Sequence, residues 1–264
     1  MFDFPAGFSP DGIDGGFPVL LGEESAYFES DTVGISWEQE IDIEDPRGDT
    51  SDGGALTTFA DHTEERFRSA YFGPQESIEY YVTSDRAFRS SESQPSRQFI
   101  DSYDDNVAED SDVAFTSTTN AQYSKRDGFD VQFFEQLLGG LTYELTDVSE
   151  SAATYTADLA ENEDANIWGI DVIGGDLEPA VTTPRARPAA QFPDGNPVRR
   201  EPLFMTLRSG FITGEIDITI GPDAVPTIDI DVVTEGEQRR FEHTSTHEFQ
   251  RNIPPVLAPA WVPE

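Results

Sequence analysis

A mainly β fold, an antiparallel β-sandwich or a jelly-roll-like variant of it, is predicted by three features of the chain. The first is the stretch Thr213 to Thr234. Here Ile216, Ile218 and Ile220 alternate with Glu215, Asp217 and Thr219, and beyond Gly221-Pro222-Asp223 the residues Ile228, Ile230 and Val232 alternate with Thr227, Asp229 and Asp231. A period of two sends the isoleucines to one face of a strand and the carboxylates to the other, so a hairpin forms whose apolar face needs a second layer. The second feature is the recurrence of shorter alternating segments bounded by Gly and Pro. The third is that a single helix signal is embedded in this β series, which favours one continuous domain with an inserted helix.

Residues 1–23 carry Phe2, Phe4, Phe8 and Phe17 among closely spaced glycines and prolines. That mixture opposes a regular element while the rings still need burial, so an extended N-terminal arm is expected, docked on a neighbouring subunit or folded back on its own domain. The β-sandwich domain is placed at 24–250. Ile35, Trp37, Ile41 and Ile43 share one parity and predict a strand ending at Asp45-Pro46; Ile78, Tyr80 and Val82 predict another. The helix is expected near 128–138: Asp127 can cap it, Phe129, Phe133 and Leu137 form a stripe widened by Phe134 and Leu138, and Gly139-Gly140 ends it. Strands are then expected through Leu141, Tyr143 and Leu145, from Thr154 to Leu159, through Trp168, Ile170 and Val172, from Phe204 to Ile212, and from Phe241 to Phe249.

Two segments stand outside this pattern. Residues 179–202 hold six prolines together with Arg185, Arg187, Arg199 and Arg200, a long loop that no sheet interior would tolerate and a basic island in an acidic chain. Its arginines are expected to meet carboxylates of another subunit. Residues 251–264 form a Pro-rich C-terminal arm in which Val256, Leu257 and Trp261 are too apolar to remain in water. Phe2, Phe4, Arg185, Arg187, Arg199, Arg200 and Trp261 are therefore the candidate subunit contacts.

The 264 residues carry 52 acidic against 16 basic side chains, a formal charge of −36, and Lys125 is the one lysine. Such a surface repels itself at ordinary ionic strength, whereas at molar salt the Debye length contracts to roughly 3 Å. It also opposes sequence-specific binding to nucleic acid, since every phosphate would be repelled. With no cysteine, disulfides, thiolate chemistry and Cys-based metal sites are excluded. There is no long apolar run and no signal-peptide pattern at Met1-Phe2-Asp3-Phe4-Pro5, so a product made in the host cytoplasm, with no membrane partner, is expected.

Catalytic motifs are absent: no Gly-x-Ser-x-Gly elbow, no phosphate-cradling loop ending in Lys-Ser/Thr and no His-Glu-x-x-His occurs. His243 and His247 flank Thr-Ser-Thr. On a strand they share a face but lie roughly 13 Å apart along the backbone, too far for one metal ion. His62 has no motif around it. The acidic segment Asp101 to Asp112 lacks the glycine and closing glutamate of a calcium loop and reads as a solvated loop gathering loosely bound salt cations. Arg47-Gly48-Asp49 matches an adhesion triplet, but all three residues suit a turn. No catalytic, cofactor or metal residue is assigned, and no enzymatic activity is expected.

The acidic surplus, the near-absence of lysine and the lack of cysteine resemble proteins of haloarchaea and of their viruses. A β-sandwich with one helix, extended arms and a long loop is similar in arrangement to tail-tube and related tail proteins of tailed viruses. That resemblance implies a self-assembling virion structural protein whose partners are copies of itself and other virion proteins. A capsid, turret or baseplate protein is the alternative within that class. A halophilic β-sandwich enzyme such as a hydrolase, with paired carboxylates brought together only by folding, and a carbohydrate-binding or adhesion module are the alternatives outside it.

Overall fold

The structure, a computed structural model, describes residues 2–13, 17–21, 25–27, 29–44, 46–61, 63–64, 66–73, 77–83, 87–91, 138, 140–162, 165–167, 170–173, 176–179, 210–235 and 240–262. In chain order the elements are β1 (Phe8–Ser9), β2 (Gly12–Ile13), α1 (Phe17–Leu20), β3 (Thr32–Glu44), β4 (Thr50–Asp61), β5 (Arg66–Phe72), β6 (Ser77–Val82), β7 (Ala87–Ser91), β8 (Glu144–Val148), β9 (Ala153–Asp158), β10 (Ala165–Ile167), β11 (Ile170–Ile173), β12 (Asp176–Pro179), β13 (Gly210–Ile220), β14 (Pro226–Glu235) and β15 (Arg240–Arg251). The fold is mainly β and antiparallel, as expected. Hydrogen bonds connect thirteen strands into one sheet in the order β10-β11-β12-β13-β14-β15-β3-β4-β5-β6-β7, with β9 and β8 branching from β13.

The predicted hairpin lies at the centre as β13 and β14, with Ile216 opposite Ile230 and Ile218 opposite Ile228. Its turn closes with the Ala224 amide donating to the Gly221 carbonyl, and β14 starts on Pro226, where a missing N–H does least harm to the ladder. Alternation continues into β15, where Phe241, His243, Ser245, His247 and Phe249 are buried, and into β3, where Val33, Ile35, Trp37 and Ile41 are buried. The registers align these side chains on one inner face. Each fully buried isoleucine contributes about 1.5–3 kcal/mol of transfer free energy there.

Described residues of the segments 2–13, 17–21 and 25–27 pack on this inner face. Phe2, Phe8, Leu20, Leu21 and Tyr27 join the same core as Ile216 and Phe249. Phe8 lies 6.1 Å from the Tyr155 ring of β9, the Tyr155 hydroxyl donates to the Ser9 carbonyl, and Tyr27 meets Phe249 edge to face at 5.4 Å. The N-terminal segment is thus not an extended arm. Gly7 and Gly12, both at positive φ, let it fold into the β1–β2 hairpin, and α1 follows.

The C-terminal residues 252–260 form no helix or strand, as their prolines require, and they lie over the opposite, outer face near β4 to β6. Thr32 Oγ1 donates to the Ile253 carbonyl, Arg66 Nη1 to the Val256 carbonyl, and Trp261 Nε1 to Glu79. Glu79 also holds Arg68 at 2.6 Å.

Other boundaries differ from expectation. The strand expected through Leu141 and Tyr143 starts only at Glu144, because Asn162 Oδ1 takes the Thr142 amide at 2.8 Å and keeps that segment out of the ladder. The single strand expected around Trp168 is two, β10 and β11, paired with Ile167 opposite Ile170. Of the helix expected near 128–138 only Leu138 is described, buried in the core; the rest of that segment, and residues 201–209 of the strand expected from Phe204, lie outside the described residues.

The branch of the sheet sits at one glycine. β13 pairs with β12 at Gly210 and Phe211 and with β9 from Glu215 to Ile220, both along the edge away from β14. Between them Gly214 adopts φ +115°, and its carbonyl accepts the Leu159 amide at 3.0 Å. A Cβ on Gly214 would stand 2.1 Å from the Asp231 carbonyl oxygen. Gly214→Ala is expected to lower unfolding stability by roughly 2–4 kcal/mol, combining left-handed backbone strain with displacement of β14. Denaturant unfolding followed by circular dichroism checks this.

Candidate functional site

Two groups of chemically capable side chains emerge, one on each face of β13, β14, β15 and β3. On the outer face the register places Glu215 opposite Asp231 and Asp217 opposite Asp229. It also places Asp158 opposite Glu215 and Glu242 opposite Asp42. Like charges directly opposite are destabilising. Threonines moderate the array: Thr156 Oγ1 donates to Asp217 and Thr246 Oγ1 donates to Asp229, while Thr244 separates Asp231 from Glu40 in register. At one end Arg240 gathers Glu235 at 3.1 Å, Glu44 at 3.3 Å and Glu242. This face can hold a diffuse layer of cations; among the described residues no group of three or more His, Asp or Glu has the geometry of a metal site.

The inner face holds a polar line on β15, where His243 and His247 share a strand face as expected and the hydroxyl between them joins them. His243 Nε2 lies 2.8 Å from Ser245 Oγ, and the same oxygen lies 2.9 Å from His247 Nε2. The side chains lean together along β15, so one hydroxyl serves both rings; backbone spacing alone misses this. All three residues are buried, and the Trp37 ring packs 6.0 Å from that of His247. In register Ser245 stands between Ile230 and Gln39, and His247 between Ile228 and Trp37. Burial, and next the neighbouring His243, push the His247 pKa down to about 3, so its ring is neutral near pH 7.

A hydroxyl shared by two imidazoles can pass hydrogen-bond polarity along the line: one ring donates to Ser245 and Ser245 donates to the other. The backbone N–H groups of β15 face ladder partners on β14 and β3, which gives Ser245 no oxyanion-binding pair of the kind acyl transfer uses.

The candidate subunit contacts are distributed as follows. Phe2 is 4% exposed within its own chain and meets Phe4 edge to face at 5.1 Å. Trp261 is half-buried on its own sheet through Glu79. Of the two placements expected for the N-terminal arm, the chain shows Phe2 within its own core, because the N-terminal hairpin turns the phenylalanines back onto it. Arg185, Arg187, Arg199 and Arg200 lie outside the described residues, as do His62 and Asp101 to Asp112. Arg47-Gly48-Asp49 is an exposed connection between β3 and β4.

No known protein family and no curated protein matches the sequence. Among solved structures the chain is similar to a DUF1329 family protein from Desulfovibrio piger, at TM-score 0.26 and 7% identity over 87% of this chain and 89% of that one. It is also similar to a domain from Vibrio parahaemolyticus provisionally described as outer membrane lipoprotein-sorting, at TM-score 0.25 and 7% identity over 90% and 94%. Both scores are too low to establish a shared fold.

Two outcomes are expected. The in-register acidic pairs together oppose folding by roughly 1–3 kcal/mol at low salt, so Tm should rise by about 5–10 °C between dilute buffer and molar KCl. Asp231→Asn should raise Tm in dilute buffer and leave it unchanged in molar KCl. Separately, Ser245→Ala removes the oxygen shared by both Nε2 atoms and should lower stability by roughly 2–4 kcal/mol at pH 7, measured by urea unfolding.

Proposed function

We propose that this chain is a non-enzymatic structural protein of a haloarchaeal virus particle, a tail-tube or related tail component that assembles with copies of itself in molar salt. The observation that supports the reading is the one-sided distribution of charge on the sheet. The outer face carries carboxylates in register across adjacent strands, while described residues of the chain's own segments 2–13, 17–21 and 25–27 pack on the inner face. Face-to-face association of copies would bring carboxylates together. Association along the strand edges would not, and among the described residues the sheet path ends in β7 on one side and β10 on the other. Unpaired strand edges are templates for pairing with another chain. The same acidic face would let DNA pass a particle's interior without adhering. The arginines of the 179–202 loop complement this surface by charge and supply the proposed contact between copies.

Sedimentation velocity in molar KCl tests the reading. Rings, tubes or larger closed assemblies are expected from the wild-type chain, and the variant with Arg185, Arg187, Arg199 and Arg200 all changed to Ser should sediment as a monomer with an unchanged β-type circular dichroism spectrum. A wild-type chain that remains monomeric at all concentrations would overturn the proposal.

A further inference from the structure

The outer face of the sheet has two unlike parts. Across β9, β13, β14, β15 and β3 it carries the in-register carboxylates. On β4, β5 and β6 the registers place Phe59, Arg66, Arg68, Phe72, Glu79 and Tyr81 on the same side. The charges at this end are paired, Arg66 with Glu64 at 3.7 Å and Arg68 with Glu79 at 2.6 Å. Two copies can therefore approach here without setting carboxylate rows against each other. Phe72 is 56% exposed, and Leu257, on the segment that lies over these strands, is 68% exposed. Large apolar groups left in water favour contact with a further surface.

The segment 252–262 is seated as a bound peptide is seated rather than paired as a strand. Asn252 turns the chain at φ +53°, its amide donating to Ser30 Oγ at 3.1 Å. Beyond it Pro254, Pro255 and Pro259 lack the N–H that a ladder needs, and the sheet makes no ladder pairing with these residues. Side chains hold the segment instead. Thr32 Oγ1 donates to the Ile253 carbonyl at 3.0 Å, Arg66 Nη1 donates to the Val256 carbonyl at 3.4 Å, and Glu79 accepts the Trp261 indole N–H. Val256 and Pro259 are buried. Pro-rich extended segments are held by receptor side chains in the same manner.

We propose that residues 252–262 are an exchangeable strap, seated on their own sheet in the single chain and passing to the same seat on a second copy when copies meet. The copies are identical, so exchange keeps every contact of the seat and the contact energies cancel between the two forms. Two differences remain. A chain's own strap is present at an effective concentration on the order of millimolar, which favours the unexchanged form in dilute solution. Exchange draws two copies together at the charge-paired end and buries surface there, Leu257 and Phe72 included, which favours it once neighbours are close. The exchange rests on the proposed self-assembly for bringing copies together, and not on the arginine loop.

The chain has no cysteine, so introduced thiols are the only ones present. Glu64 and Ala258 are both exposed; Arg66 bridges from the Glu64 carboxylate to the Val256 carbonyl, two residues before Ala258. Glu64→Cys and Ala258→Cys are made as separate full-length chains, mixed in molar KCl at rising protein concentration and treated with a short bismaleimide. A 64–258 linked peptide, read by mass spectrometry, then joins two copies. Its yield at high concentration is expected to be at least about tenfold that of the 64–148 peptide from Glu64→Cys mixed with Val148→Cys, whose thiol lies at an exposed end of β8. A chain carrying both Glu64→Cys and Ala258→Cys should link within itself in dilute solution.

Sedimentation of the same samples separates the exchange from the assembly reading. Assemblies whose 64–258 yield between copies does not exceed the 64–148 control overturn the exchange and leave self-assembly standing. Linked copies without rings or tubes support the exchange and count against a tail-tube role. A chain that stays monomeric and unlinked at all concentrations overturns both.

Discussion

The ladder between β15 and β3 is the constraint on which the rest of the structure depends. It joins Arg240–Arg251 to Val33–Glu44 along the whole 12-residue length of β15, and through it the meander β3 to β7 becomes one sheet with the later strands. These partners lie some two hundred positions apart, so their pairing carries a large loop-closure entropy that local contacts cannot offset. The offset comes from the side chains the ladder aligns: Phe249 beside Ile35, His247 beside Trp37 and Phe241 beside Ile43. A one-residue slip would send these to the outer face and bring Glu242 and Glu248 inside, so burial sets the register.

Because the ladder is set by burial, the outer face is free to carry charge, and it carries a great deal. Asp217 opposite Asp229 and Glu215 opposite Asp231 are pairings that a sheet in dilute buffer would avoid. Threonine hydroxyls at Thr156 and Thr246 give the aspartates donors without giving them countercharges, leaving neutralisation to the solvent. This charge pattern belongs to the folded strands rather than to any single motif. The two termini complete the molecule on opposite faces: described residues of the N-terminal segment pack on the apolar side, and the C-terminal segment lies on the outer face, where Arg66 meets Val256 and Glu79 meets Trp261.

Among the described residues the inner face carries polar side chains along β15, at Thr234 and Gln39, and at the cross-strand contact between Thr58 and Ser69. Polar groups persist in such a place only when they satisfy one another, and the hydroxyl of Ser245 does this for two histidines at once. The arrangement adds specificity of register to β15, since a one-residue slip would carry all three polar side chains to the outer face.

Strict alternation in Glu215 to Ile220, Thr227 to Val232 and Ile35 to Ile43 by itself determined three central strands, their inward faces and the antiparallel hairpin, because side-chain period and burial are local properties of a strand. Composition by itself determined the net charge. Sequence did not determine the strands β4, β5 and β7, whose Gly, Thr, Ser and Arg content breaks the alternation, nor the four-residue β12, and their pairing is fixed by neighbours already in the sheet. Nor did it reveal that the phenylalanines of the N-terminus belong to the chain's own core, since aromatics among glycines need a surface and only the completed sheet shows which surface is within reach. The approach of His243 and His247 to one hydroxyl likewise required the tertiary structure: along the backbone the residues are far apart, and only the folded sheet shows their rings leaning toward Ser245.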